Sequence, residues 1–143
     1  MQLNEICRFI YKVCGKNIPI YFVDTETKAW KFLSIFPAWI SPKNELIINK
    51  NVWNTCHELI QKSIILHEVG HIEDPSNYCS STVQRELFAQ IYAIKKAESM
   101  RMTALVELLK YILSQWEFQY DWNSPQRRFI LASKIAKKKG IVV

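Results

Sequence analysis

Two histidines flank a glutamate in the segment His67-Glu68-Val69-Gly70-His71. In a helix, side chains four residues apart lie on the same face, so both imidazoles can serve as ligands of one tetrahedral zinc ion. Glu68 is rotated to the side, where it is expected to take a proton from a zinc-activated water as a general base. Gly70 leaves room for another part of the chain to approach. This order of residues predicts metal-dependent hydrolysis.

A third protein ligand must come from outside this segment, because a catalytic zinc keeps three ligands and leaves one position open. The chain has three histidines, and the remaining one, His57, is expected on the same helix as His67 at a distance of about 15 Å. The metzincin spacing would need Gly at position 74 and His at position 77, where the chain has Asp74 and Asn77. The third ligand is therefore expected to be a carboxylate or a cysteine.

Glu86 is the preferred third ligand. It follows His71 by fifteen residues, which allows a turn and an antiparallel return on the next helix. Ala89 and Ala93 lie three and seven residues further on, and such small side chains let two helices pack closely. Gln90 lies on the same face as Glu86, and its amide oxygen is expected to accept the N–H of a ligand histidine and fix its tautomer.

Other residues compete for roles at this site. Asp74 and Cys79 are alternative third ligands, although Asp74 is expected to end the metal helix and Cys79 could instead cover the open zinc position as an inhibitory thiolate. Tyr78 is a possible donor to the oxyanion that forms during hydrolysis, ahead of Tyr92 and Tyr120.

The elements that must position these residues follow from periodicity and punctuation. Apolar spacing predicts helices at 3–14, from Asn54 or Thr55 to 73, from 81 or 82 to 99, and at 103–118, with a last helix beginning at 124. A capping box of Thr55 with Glu58 supports the start of the metal helix. Short strands are expected at 18–23, 33–40 and 45–49.

This order predicts an α+β fold, with a small, mostly antiparallel three-stranded sheet packed on a helical bundle. A single domain is expected over 1–143, with a core at about 18–97 and C-terminal helices at about 103–139. The strand at 45–49 precedes the metal helix closely, so it is the expected sheet edge to which a substrate adds as an extra strand.

Composition restricts the class of protein. Hydrophobic residues make up 49% of the 143, yet no apolar run approaches the roughly 20 residues that a membrane span needs. The first five residues lack the basic and apolar regions of a secretory signal, so a cytoplasmic protein with reduced cysteines is expected. The net charge of +6 is concentrated between Arg127 and Lys139, which favours a solvated helix over a nucleic-acid contact because no nucleic-acid motif accompanies it.

The chain resembles the ImmA/IrrE family of zinc metallopeptidases, which are similar to a minimal gluzincin with a zincin-like domain. That family follows its His-Glu-x-x-His helix with a pattern close to Glu-x-x-Ala-Asn-x-Phe-Ala. The stretch at 86–93 reads Glu-Leu-Phe-Ala-Gln-Ile-Tyr-Ala, in which Gln90 stands for Asn and Tyr92 for Phe. The resemblance covers roughly residues 18–97, including the short strand before the metal helix.

The resemblance implies a cytosolic peptidase with one Zn²⁺ per chain, often encoded by phages or mobile elements, that cleaves a repressor or another transcription regulator. Many members carry a helix-turn-helix domain, for which this chain has no room, so the substrate would be a separate protein. One alternative is a zinc-stabilised protein-binding or toxin-like module without proteolysis. Another is a nucleic-acid-associated factor that uses the basic C-terminal segment.

Overall fold

The computed structural model describes residues 1–24, 37–75 and 82–119, except the side chains of 82, 83 and 116–119. Within these ranges the chain forms five helices and three strands. In chain order they are α1 (Leu3–Cys14), β1 (Ile20–Val23), β2 (Ala38–Ile40), β3 (Leu46–Asn49), α2 (Lys50–Trp53), α3 (Glu58–Glu73), α4 (Thr82–Ser99) and α5 (Thr103–Gln119). The α+β class is confirmed. The expected strand residues 33–36 and the helix from 124 lie outside the described residues.

The three strands form a mixed sheet in the order β1-β3-β2. β2 and β3 are antiparallel, joined by a short turn in which the N–H of Asn44 donates to the carbonyl of Ser41 at 2.9 Å. β1 and β3 are parallel, with Ile20 paired to Leu46. The expectation of a mostly antiparallel sheet was wrong, because the long connection from β1 to β3 permits a crossover, whereas a short turn permits only an antiparallel neighbour.

β3 is the central strand, and all four of its residues are buried. The expectation that 45–49 forms a free edge was therefore also wrong, since both sides of β3 are already paired. Among the described strands, β1 and β2 form the edges of the sheet. A fully buried strand reads as a continuous apolar run, which is the pattern of Leu46, Ile47 and Ile48.

The start of α3 also differs from the expectation. The segment after β3 first makes the short helix α2, and the N–H of Asn54 donates to the Lys50 carbonyl at 3.1 Å. The chain then turns, and His57 caps α3 through its Nδ1, which accepts the N–H of Leu59 at 3.1 Å. Thr55 instead donates its hydroxyl to the carbonyl of Val52. The expectation that Asn54 or Thr55 caps α3 was wrong, because Asn54 ends the separate helix α2 and Thr55 bonds back to it.

The core forms where α3 packs against its neighbours. α1 contributes a buried stripe at helical spacing and ends at Gly15, whose φ of 69° suits glycine. α5 contributes Leu105, Leu109 and Leu113, one on each turn and each fully buried. α3 lies between these helices and the sheet, so its metal-binding segment is held from several sides. In the described part of the chain, no helix has the length and apolar character needed to cross a membrane.

Candidate metal centre

His67 and His71 from α3 and Glu86 from α4 meet at one point. The potential ligand atoms of these three side chains all lie within 4.8 Å of one another, and the structure describes no other group of three such residues. His67 Nε2 lies 2.8 Å from Glu86 Oε2, and His71 Nε2 lies 3.2 Å from Glu86 Oε1. The three side chains are between 16% and 28% exposed, so an ion could reach them from solvent. This group could hold a metal ion.

Gly70 explains how α4 comes near enough to deliver Glu86. A Cβ at position 70 would lie 2.7 Å from the Cα of Ala89 and 2.8 Å from its carbonyl oxygen. Such contacts involve backbone atoms, which cannot move aside as a flexible side chain can. Ala89 is fully buried, and so is Ala93 one turn further along α4. The two helices therefore cross in close contact because one offers glycine and the other alanine.

Gln90 lies behind His67 and is 2% exposed. Its Oε1 is 2.7 Å from His67 Nδ1, so the ring donates its Nδ1–H to the amide oxygen. Its Nε2 donates to the backbone carbonyl of Leu109 on α5 at 2.9 Å. With Nδ1 occupied in this way, the Nε2 atom of His67 faces Glu86. The expected contact between Gln90 and a histidine of the motif is therefore present.

The histidines and Glu86 strongly influence one another's charge. Burial opposes ionisation of Glu86, but hydrogen bonds from His67 and His71 outweigh it and hold the pKa of the carboxyl well below its ordinary 4.5. Burial likewise opposes protonation of His67, but Glu86 outweighs it and raises the pKa of the imidazole from 6.5 to about 9. Without a metal, the carboxylate thus pairs with a positively charged ring. The same atoms would have to exchange that proton for a metal ion.

Glu68 lies between α3 and the sheet. Burial raises the pKa of its carboxyl above the ordinary 4.5, and the positive charge of His67 and His71 partly opposes this rise. The backbone N–H of Ile40 on β2 also donates to the carboxylate. Glu68 is therefore held beside the three potential ligands without belonging to their group.

Other residues singled out in the sequence lie elsewhere. His57 is the cap at the far end of α3, and Asp74 is buried where α3 ends and is not part of the potential ligand group. Tyr92 is on α4, where burial and the Glu73 carboxylate raise the pKa of its phenol to about 12. Tyr78, Cys79 and Tyr120, together with the basic segment 127–139, lie outside the described residues.

Two backbone groups that contact residues of the site could not be predicted from the sequence. The N–H of Ile40 reaches Glu68, and the carbonyl of Leu109 reaches Gln90. Every residue type except proline offers both groups, so no sequence pattern marks the ones that approach the site. Only the packing of β2 and α5 against α3 and α4 reveals them.

Comparison of the chain with models of known protein families, with characterised proteins and with solved structures finds no match. The interpretation of the site therefore depends on its own chemistry: two imidazoles and a carboxylate that could hold a metal ion, with a second glutamate beside them.

Proposed function

We propose that the chain is a zinc-dependent metallopeptidase that hydrolyses a peptide bond in a protein substrate. The observation that carries the proposal is the meeting of His67, His71 and Glu86 at one point, with Glu68 next to the first ligand on the same helix. The resemblance to the ImmA/IrrE family favours an intracellular repressor or regulator of a phage or mobile element as the substrate.

The residues at this point fit zinc. Two imidazole nitrogens and one carboxylate are a donor set that catalytic zinc sites use, and such sites keep a further position for water or substrate. The ring of His67 is already oriented, because Gln90 occupies Nδ1 at 2.7 Å and leaves Nε2 as the ligand atom. When bound there, zinc would polarise the substrate carbonyl and make water a stronger acid.

In this proposal Glu68 is the general base. Its carboxylate takes a proton from the attacking water and then returns it to the amine that leaves when the peptide bond breaks. Burial raises the pKa of its carboxyl, which makes it a stronger base than an exposed glutamate. The Ile40 N–H fixes one side of the carboxylate, so proton transfer would occur on the other.

The edge of β2 is the proposed site for the substrate backbone. Two hydrogen bonds flank β2 on the side of β3. The N–H of Asn49 donates to the Pro37 carbonyl, and the N–H of Ser41 donates to the Glu45 carbonyl, both at 2.9 Å. Because pairing alternates along an antiparallel strand, the peptide groups of Ala38 and Ile40 face away from β3. A substrate strand added at this edge would lie beside Glu68. Because the Ile40 N–H already donates to Glu68, the strand would pair with the other outward-facing groups of Ala38 and Ile40.

The decisive experiment compares wild type with Glu68→Gln, each loaded with zinc and incubated with a peptide library from a digested proteome. We expect cleavage by wild type, one bound zinc in both proteins, and a loss of cleavage of at least about 100-fold in the variant. Glu58→Gln on the first turn of α3 is the matched control, because Glu58 is exposed and pairs with Lys62 at 3.5 Å on the surface.

Two outcomes would contradict the proposal. Wild type that binds no zinc would remove the metal site altogether. Zinc-loaded wild type that cleaves nothing in the library, and whose cellular effect survives Glu68→Gln, would favour the zinc-stabilised binding module instead.

A further inference from the structure

The two ends of the Gln90 side-chain amide bond to different helices. Oε1 accepts from His67 on α3 at 2.7 Å, and Nε2 donates to the Leu109 carbonyl on α5 at 2.9 Å. Gln90 is 2% exposed, so an amide that lost either partner would be left without a hydrogen bond in a buried place. None of the described side chains of α5 belongs to the potential metal-binding group, yet the Leu109 carbonyl is linked to His67 through two hydrogen bonds of Gln90.

The Leu109 carbonyl selects one of the two orientations that the amide could adopt. A carbonyl oxygen only accepts hydrogen bonds, so it requires the NH₂ group of Gln90 to face it. If the amide were turned over, two acceptor oxygens would stand about 2.9 Å apart in a buried place. His67 Nδ1 would then have to accept a hydrogen bond, and its proton would move to Nε2.

The orientation of the amide decides which nitrogen of His67 is free for a metal. With Oε1 facing the ring, Nδ1 keeps its proton. When the charged ring gives up its other proton, at Nε2, the Nε2 lone pair is therefore the one offered to a metal. In the turned orientation Nε2 carries the proton and cannot bind a metal. We propose that Gln90 is a positioning residue whose direction is set by the Leu109 carbonyl, so that α5 controls the zinc affinity of His67.

Packing makes α5 suited to this role. Leu105, Leu109 and Leu113 are fully buried at four-residue intervals, so the part of α5 that carries the Leu109 carbonyl is anchored in the core. The carbonyl of Leu109 is therefore held by the core. This inference rests on the metal site of the proposed function but not on proteolysis, because it concerns the affinity for zinc and the tautomer of one ring.

The test replaces Gln90 by glutamate, which keeps the shape and the acceptor but removes the NH₂ group. If Gln90 served only as an acceptor for His67, Gln90→Glu would bind zinc at least as tightly as wild type, because a carboxylate is the stronger acceptor. If the Leu109 carbonyl sets the orientation, the new oxygen is repelled and the variant binds zinc about 10- to 100-fold more weakly. Competition with a chromophoric chelator measures the affinity.

Gln61→Glu is the matched control. Gln61 is also a buried glutamine, whose Nε2 donates to the Trp53 carbonyl at 2.9 Å and whose Oε1 accepts from the Met1 ammonium at 2.6 Å, and it is not part of the metal-binding group. We expect Gln61→Glu to place an oxygen against a buried carbonyl in the same way without weakening zinc binding. Equal losses of zinc affinity in the two variants would overturn the proposal, since a general loss of packing would then suffice.

A spectroscopic measurement reads the tautomer directly. The ¹⁵N shifts of zinc-loaded wild type should show His67 protonated at Nδ1 and bound through Nε2. Gln90→Met, which removes both hydrogen bonds, should broaden or shift these signals and also weaken zinc binding. If wild type binds zinc and Gln90→Glu binds it with equal affinity, this inference alone is wrong. If wild type binds no zinc, the proposed function is wrong.

Discussion

At the scale of the residue, Glu86 decides what the site is. Two histidines on one helix face would hold a metal weakly. Glu86 completes a group of three that could hold one, with the Nε2 atoms of His67 and His71 lying 2.8 and 3.2 Å from its carboxylate oxygens. When no metal is bound, the same carboxylate raises the pKa of His67 and pairs with the positively charged ring. The Glu86 carboxylate can therefore pair with a protonated histidine or bind a metal ion, but it cannot do both at once.

Replacing Glu86 by alanine should abolish stoichiometric zinc binding, because two imidazoles alone do not complete the protein side of the site. We expect the affinity to fall by more than about 100-fold, beyond the usual effect of losing a residue behind a ligand. Metal analysis after dialysis measures this. Glu98→Ala, an exposed acid on the same helix, should keep its zinc. Equal zinc in wild type and Glu86→Ala would contradict the assignment of this ligand.

The charges of the site also predict how the metal-free protein responds to pH. The pKa of His67 rises from 6.5 to about 9 on folding, so its contribution to stability is complete below pH 6.5 and disappears as the pH rises through 9. Glu86 has a lowered pKa, so its contribution is present above 4.5 and is lost as the pH falls through its folded value. Both shifts arise from the same ion pair, so His67 and Glu86 make a single contribution to stability.

We therefore expect the metal-free chain to be less stable at pH 9 than at pH 6, by up to about 3 kcal/mol. Burial raises the pKa of Glu68, so ionisation of its carboxyl also lowers stability as the pH rises from 4.5 through its folded value. Urea unfolding in the presence of a chelator measures the difference, and Glu86→Gln should reduce it. Stability that increases from pH 6 to pH 9 would contradict the charge assignment. Zinc affinity should show the opposite trend, because the metal competes with the proton on His67.

At the scale of the element, the crossing of α3 and α4 determines whether the ligands meet. α3 carries both histidines and α4 carries Glu86 and Gln90, so a small change in separation alters every distance in the site. The contact of Gly70 with the Ala89 backbone sets that separation. The glycine that lies inside the motif thus serves the packing of helices, rather than the chemistry directly.

Gly70→Ala should destabilise the protein and weaken zinc binding. A Cβ 2.7 Å from a backbone atom forces the helices apart, at a net cost of about 1–3 kcal/mol despite the better helix propensity of alanine. Gly15→Ala is the comparison, since Gly15 has a φ of 69° and nothing within 4 Å of an added Cβ. It should lose stability through backbone strain but retain its zinc affinity. Unchanged zinc affinity in Gly70→Ala would show that the contact does not position Glu86.

At the scale of the whole molecule, four elements that are distant in sequence surround the site. The edge strand β2 supplies the N–H that contacts Glu68, α3 and α4 supply the potential ligands, and α5 orients Gln90. Metal binding should thus be linked to the stability of the entire folded part of the chain, since unfolding separates all of these elements.

Zinc should raise the melting temperature of the wild-type protein. At a free concentration 100 times the Kd, binding to the native state alone adds about 3 kcal/mol of stability. Thermal unfolding with and without zinc measures this shift, and a chelator should reverse it. Glu86→Ala should show no shift. A shift of equal size in that variant would mean that zinc binds at a different place.

The sequence alone determined the parts of this protein that depend on local spacing. Residues four apart on a helix share a face in any fold, so His67 and His71 could be paired without a structure. The helices at 3–14, 82–99 and 103–119 follow from apolar periodicity and from glycine or hydroxyl residues at their ends. The choice of Glu86 needed only the histidine count and the spacing to small residues on a following helix.

Tertiary structure decided everything that depends on contacts between distant segments. The parallel pairing of β1 with β3, the central place of β3 and the cap at His57 were all missed, because strand order and capping depend on which segments compete for the same partners. The bonds from Ile40 to Glu68 and from Leu109 to Gln90 involve backbone groups that carry no residue-type signal. The motif specifies the chemistry of its own side chains, whereas packing specifies which atoms surround and orient them.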